Sequence, residues 1–196
     1  MIFLTSLSFN INFNKIELNG YYTNGSKRNM QTSVLSVDNI KIASSKSQIY
    51  GIATISDFTS PSIKINTNVN VDIPELMAFF KSDTLTCSAG LLTGNLKAET
   101  KLGNKQKISI YNSNPQANIK ITNLNLESTN KYIDIKNLNT DIDANLNMAL
   151  VKKIDGIFYG ITTTANGVIN LDYKKTENKI EHVRIFANAQ FDDFNY

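Results

Sequence analysis

The stretch SIKINTNVNVDI, Ser62 to Ile73, decides the fold class. Ile63, Ile65, Val69, Val71 and Ile73 share one parity, interrupted only by Thr67. Ser62, Lys64, Asn66, Asn68, Asn70 and Asp72 share the other. A side-chain period of two belongs to a strand with one apolar and one wet face. Such an apolar face can pack a protein core, meet a bilayer or hold an apolar ligand.

Outward from this stretch the alternation recurs. Phe3, Leu7, Phe9, Ile11 and Phe13 predict a long first strand. Ile40 with Ile42, then Ile49, Ala53 and Ile55 around Gly51, predict two more. Leu92, Leu96, Ala98 and Leu102 share a face, as do Ile108 and Ile110. Ile142, Ala144, Leu146, Met148 and Leu150 read as one parity. So do Ile157, Tyr159 and Ile161, then Ile169, Leu171 and Tyr173, then Val183, Ile185, Ala187, Ala189 and Phe191.

In ANIKITNLNLES the apolar parity flips between Ile121 and Leu124, which predicts a bulge or bend. The same I-x-N-L-N form returns at Ile135 to Asn139, with a looser echo around Asn39. Turn chemistry separates the strands. Asn24-Gly25 predicts a type I′ hairpin turn, and the SSKS of Ser44–Ser47 and ESTNK from Glu127 predict turns. So do LGNKQ at Gly103, NSNP before Pro115 and KTENK at Thr176, and Asn166-Gly167 predicts a turn or a bulge. One segment leaves the β pattern. In VDIPELMAFFKSD, Asp72 suits an N-cap, with Pro74 early and Glu75 positioned for a capping box. A helix of about two turns follows, near 73–81, with Lys81 at its C-terminal end, plugging an edge or end of the sheet.

The composition narrows the function classes. Lys plus Arg number 20 and Asp plus Glu 17, so a net charge of +3 is too small and dispersed for a nucleic-acid binder. Lys27 and Arg28 read as solvated residues at a hairpin tip. The single cysteine, Cys87, makes no intrachain disulfide and reads as a small apolar residue, with the only histidine, His182, remote in sequence. The opening MIFLTSLSFNINF lacks the charged and continuous apolar regions of a signal peptide, and no apolar run is long enough for a membrane-spanning helix.

Catalytic machinery is not expected. Asp141 and Asp143 share a polar strand face, and Asp192 and Asp193 sit next to Phe191. A pair on a strand's wet face reads as solvated, and Asp172 brings no calcium loop with it. No phosphate-binding, dinucleotide-binding or nucleophile-elbow motif is present. The expectation is no enzyme, no cofactor and no metal.

Three stretches resemble the AsmA-like family, bacterial envelope proteins related to TamB. In Ile49–Phe80, Pro61, Ile63, Ile65, Asp72, Ile73 and Leu76 match a P-x-I-x-I strand leading into a short D-[IL]-x-x-L helix. Ser88–Leu102 is similar to a glycine followed by a long alternating strand. Ala117–Leu171 resembles a strand, N-L, strand succession, with Gly156, Gly160, Gly167 and Asn170 at matching places. The resemblance implies a curved antiparallel sheet whose apolar concave face carries phospholipid acyl chains between membranes or supports outer-membrane assembly. It implies a periplasmic location, with anchoring in the inner membrane through a segment absent from this chain, and other envelope proteins as partners. No catalytic residues carry over.

The expected fold is therefore all-β: an extended, curved, mostly antiparallel sheet, groove-like or a half-open barrel, with one short helix. Residues 1–196 form one β-rich domain or an internal fragment of a larger AsmA-like protein. Groove candidates are Ile63, Ile65, Val69, Val71, Leu96, Leu146, Met148, Leu150, Ile169 and Leu171. The alternatives are a structural or adhesive β-sandwich with a filled core and a transmembrane barrel.

Overall fold

The computed structural model describes residues 13–80, 84–101, 114–174 and 179–192. The strands are β1 (Lys15–Thr23), β2 (Val34–Ala43), β3 (Gln48–Ser56), β4 (Ser62–Asp72) and β5 (Leu85–Lys101), with helix α1 (Ile73–Phe80) between β4 and β5. Then come β6 (Gln116–Ser128), β7 (Asp134–Asn145), β8 (Met148–Phe158), β9 (Ile161–Lys174) and β10 (Lys179–Phe191). All ten form one antiparallel sheet in chain order, so each strand pairs with its sequence neighbours. No ladder joins β1 to β10, so the sheet is open and not a closed barrel. Nor is it a sandwich: the described strands make one sheet, and Leu124 is the one buried apolar side chain among the described residues.

SIKINTNVNVDI forms β4 and runs directly into α1, as its alternation and the Asp72-Ile73-Pro74 sequence predict. Its neighbours match its pattern. Ile63, Ile65 and Val69 stand opposite Ile55, Ala53 and Ile49 of β3, and Ile65 and Val71 stand opposite Ala98 and Leu92 of β5. Directly opposed residues of an antiparallel pair share a face. The apolar side chains of all three strands thus lie together.

The parity flip at Asn123 is a pair of facing bulges. The β6–β7 register shifts between Ile121 and Leu124, and Leu124 faces Leu138. Asn123 and Asn137 take left-handed backbone conformations, with φ of 52° and 53°, which Asn tolerates better than other non-glycine residues. The repeated I-x-N-L-N form is one device placed on two adjacent strands. The weaker echo at Asn39 also marks a shift, between Val37 and Ile40 of β2.

Helix α1 follows directly from the end of β4 and packs against β4 and β5, at the end of the strands where the β2–β3 turn lies. Gly90, with φ of 147°, seats it: a Cβ there would stand 2.9 Å from Leu124 Cδ1 and 3.1 Å from Ile73 Cδ1. Asp72 caps the helix, its Oδ1 accepting a 2.9 Å hydrogen bond from the Glu75 N–H. The return half of the expected capping box is replaced. The Asp72 N–H donates instead to Ser47 Oγ at 3.1 Å, and the Glu75 carboxylate accepts from Ser44 (2.6 Å), Ser45 (2.8 Å) and Ser47 of the β2–β3 turn. The helix is thereby tied to a hairpin some 30 residues upstream.

Several turn expectations change. Asn24-Gly25 is not a two-residue turn: Thr23 pairs with Val34, and the chain between them is a loop held by Ser33, which is fully buried. Its Oγ accepts from Tyr22 Oη at 3.1 Å and donates to Asn29 O at 2.9 Å. The positive-φ pair that a type I′ turn needs is found at Tyr159-Gly160, with φ of 52° and 84°. Asn166-Gly167 is neither turn nor bulge but lies inside β9, where a Cβ on Gly167 would stand 2.6 Å from Phe186 O of β10. The strand expected from Phe3, the pair Ile108/Ile110, the turns expected at Gly103 and Thr176, the start of NSNP, and Leu102, Lys81 and Asp193 lie outside the described residues.

Candidate apolar groove

One register row crosses the whole sheet. Ile16, Ile42, Ile49, Val69 and Gly94 stand opposite one another on β1 to β5. Ile119, Ile142, Val151, Gly167 and Ala187 continue the row on β6 to β10. The neighbouring row, through Leu96, Ala117, Ala144, Ala149 and Ile169, is also apolar. Among the described residues, no Asp, Glu, Lys or Arg occupies a register-paired position on this face. The charges lie on the other face. There Lys64 pairs with Glu99 at 3.1 Å, and Lys152 bridges Asp141 (3.3 Å) and Asp143 (2.8 Å). The Asp141/Asp143 pair is thus a solvated ion-pair cluster. Lys152 and Asn118 bonding to Asp143 hold its carboxyl below the usual range.

The apolar face is hollowed in two places. A cavity of about 260 Å³ lies between Leu76 and Phe79 of α1 and Ile42, Ile49 and Val71 of the sheet, with Phe13 also lining it. A second, of about 360 Å³, opens where Ala98, Ala117 and Ala144 leave room between Ile65 and Leu96, with Lys97, Gln116 and Asn145 also on its lining. Small side chains in neighbouring strands give this hollow its depth. Ile65 and Leu96 keep 41% and 39% of their surface in solvent, a high value for side chains aligned with so many other apolar groups.

Ile63, Ile65, Val69, Val71, Leu96, Ile169 and Leu171 fall together on this face. Leu146, Met148 and Leu150 do not. Leu146 lies in the turn joining β7 to β8. Leu150 faces Asp143 and Val168, and Met148 faces Asn170, on the charged side. The reason is the turn itself. Leu146 and Asn147 form a two-residue connection, so Ala144 pairs with Ala149 and the apolar parity changes by one across it. The Asn145 side chain closes the turn, accepting from the N–H groups of Asn147 (2.9 Å) and Met148 (3.0 Å), turn chemistry that the continuous alternation across Asn145-Leu146-Asn147 hid. Val151 and Ala149 are the β8 residues that the face uses. Tyr159-Gly160 makes the same change of parity, putting Ile157 opposite Lys136 and Ile161 opposite Phe158.

Cys87 stands opposite Leu126 on the apolar face, and burial pushes its thiol pKa up. His182 is on β10, with β6 to β9 between them, so the sheet does not bring a Cys/His pair together. Among the described residues no helix is long and apolar enough to cross a membrane.

Comparison with family models, curated proteins and solved structures finds no match to this chain. The AsmA-like resemblance rests on the sequence motifs.

Proposed function

We propose that this protein is a non-catalytic envelope protein that shelters phospholipid acyl chains on its apolar face, carrying phospholipid between membranes or supporting outer-membrane assembly. The observation that carries the reading is the apolar face running across the ten described strands, on which Leu124 is the one buried apolar side chain among the described residues. A face of that extent in contact with water is costly, and acyl chains relieve the cost at about 0.8 kcal/mol per buried CH₂. Isoleucine, valine, leucine and alanine offer no fixed polar partner, so chains can slide along the face while head groups stay in water at the open rim. The placement in a bacterial envelope follows the AsmA-like resemblance.

The test is native mass spectrometry of the protein expressed in bacteria, then after incubation with phospholipid vesicles. Co-purified or acquired phospholipid is the expected result. Protein that is folded by circular dichroism and carries no lipid under either condition overturns the reading.

A further inference from the structure

The hollow at Ala98, Ala117 and Ala144 has a polar lip made by the last rows of two ladders. The β5–β6 ladder ends with Lys97 opposite Gln116, and Gln116 stands opposite Asn145 at the end of the β6–β7 ladder. All three line the hollow. The next row inward, Leu96, Ala117 and Ala144, forms its apolar floor. At about 360 Å³ the space is more than twice the roughly 150 Å³ that encloses a benzene ring.

The charge at this lip is one-sided. Among the described residues, Lys97 is the one charged residue on the lining. It is exposed, and a lysine's long flexible stem lets its ammonium reach water at the lip while the methylenes cover apolar surface. Glu99, the next residue on the same side of β5, is already held by Lys64 at 3.1 Å, and Asp143 by Lys152 at 2.8 Å. No ion pair involves Lys97 among the described residues. Lys101 follows on the same side of β5 and is also exposed, with Asp57 of the β3–β4 turn as the acid its charge acts on. The cavity under α1 is the reverse case. Ser44 and Ser47 on its wall donate to the Glu75 carboxylate, an anion that repels another. An amphiphile with a negative head is therefore matched to the hollow beside Lys97 and mismatched to the cavity under α1.

We propose that this hollow seats an anionic phospholipid: the acyl chain lies on Leu96, Ala117 and Ala144, and the head-group phosphate pairs with the Lys97 ammonium at the lip. The inference rests on the reading that the apolar face shelters acyl chains, and adds to it a place and a head-group charge. A zwitterionic lipid brings a cation as well as a phosphate to the lip, and so gains less from Lys97.

The test is isothermal titration calorimetry of the full chain with two lysophospholipids that share one acyl chain, lysophosphatidylglycerol and lysophosphatidylcholine, below their micelle concentrations, and with glycerol phosphate as the head group alone. The glycerol lipid is expected to bind about fivefold tighter than the choline lipid, the effect of an exposed ion pair, with the ratio shrinking as salt rises. Glycerol phosphate is expected not to bind. Lys97→Gln should bring the two lipids within about twofold of each other by weakening the glycerol lipid alone. Ala98→Ile and Ala144→Leu, which fill the hollow, should weaken both lipids at least about tenfold, with folding checked by circular dichroism. Lys97→Gln changes an exposed residue, so it tests the head group even where a filled variant does not fold. Lipids that bind alike, a preference that survives in Lys97→Gln, glycerol phosphate binding as tightly as the glycerol lipid, or unchanged affinity in the folded filled variants overturns the inference and leaves acyl-chain sheltering standing. A wild type that binds neither lipid overturns the sheltering itself, and the inference with it.

Discussion

The backbone N–H of Asn123 donates a 3.0 Å hydrogen bond to the side-chain Oδ1 of Asn139, across the β6–β7 ladder. The relation is returned: the Asn137 N–H donates to Asn125 Oδ1 at 2.7 Å. In each I-x-N-L-N segment the first Asn makes the bulge and the second satisfies the amide that the partner's bulge frees. Between them Leu124 and Leu138 face each other, and Leu124 then packs beneath α1 on Gly90. A paired bulge, normally a weak point of a ladder, here turns Leu124 inward.

Asn125→Ala and Asn139→Ala are each expected to destabilise the protein by about 1 kcal/mol, by leaving a bulge amide without its acceptor. Asn123→Gly is expected to be close to neutral, whereas Asn123→Val, β-branched at positive φ, costs about 1–2 kcal/mol. Urea denaturation followed by circular dichroism reads all four. Equal effects of glycine and valine would mean that the left-handed backbone is not what constrains this position.

Three serine hydroxyls hold the Glu75 pKa down to about 2, Ser44 and Ser47 contributing most, against an ordinary value of 4.5. A carboxyl whose pKa is lowered by folding contributes stability above its unfolded pKa and loses it as the pH falls through the folded one. Stability should therefore decline from about pH 4.5 towards pH 2, with part of the slope absent in Glu75→Gln. The check is a set of urea melts across that range. An unchanged slope in Glu75→Gln would remove this carboxylate as the acid-sensitive tie of α1.

Gly90→Ala is expected to lower stability by about 1–3 kcal/mol, since it adds both an unfavourable backbone conformation and a collision with Ile73 and Leu124. Leu124→Ala, which empties the same seat, should cost about 2–4 kcal/mol. Because both changes act on one contact, their combined cost should fall short of the sum, as a double-mutant cycle by chemical denaturation will measure.

Val69→Asp and Leu150→Asp form a matched pair. Both introduce a carboxylate on a strand of the same sheet, but Val69 lies on the uncharged face and Leu150 beside Asp143. Phospholipid uptake from vesicles should fall at least tenfold for Val69→Asp, as expected for a charge in an apolar site, and stay within about twofold for Leu150→Asp at constant folding. Equal losses would point to general destabilisation.

The Cys87 thiol, pushed up by burial among apolar neighbours, should react slowly with a disulfide reagent at pH 8 and rapidly in denaturant. A native rate equal to the denatured one would place the thiol in open solvent.

Much of the fold was legible along the chain because a strand's facing is a local property. Alternation in Ser62–Ile73 is enough to define a two-faced strand, and the flip at Ile121/Leu124 is enough to define a bulge, since both follow from a fixed period of two. What failed was carrying parity through a turn. Met148 and Leu150 look continuous with Ala144, yet a two-residue connection at Leu146-Asn147 sends them to the charged face. The capping box failed for a related reason: three serines of a distant hairpin outcompeted one backbone amide for the Glu75 carboxylate.

By itself, then, the sequence determined that the chain is built of amphipathic strands with one capped helix, because period, capping and turn chemistry act over a few residues. Only the tertiary structure decided that ten such strands join in order into one open sheet, and that their apolar sides align in rows with no second sheet above them among the described residues. Register and strand partners are set by contacts between distant segments. Whether an apolar face is covered is therefore a property of the assembled sheet and not of any strand within it.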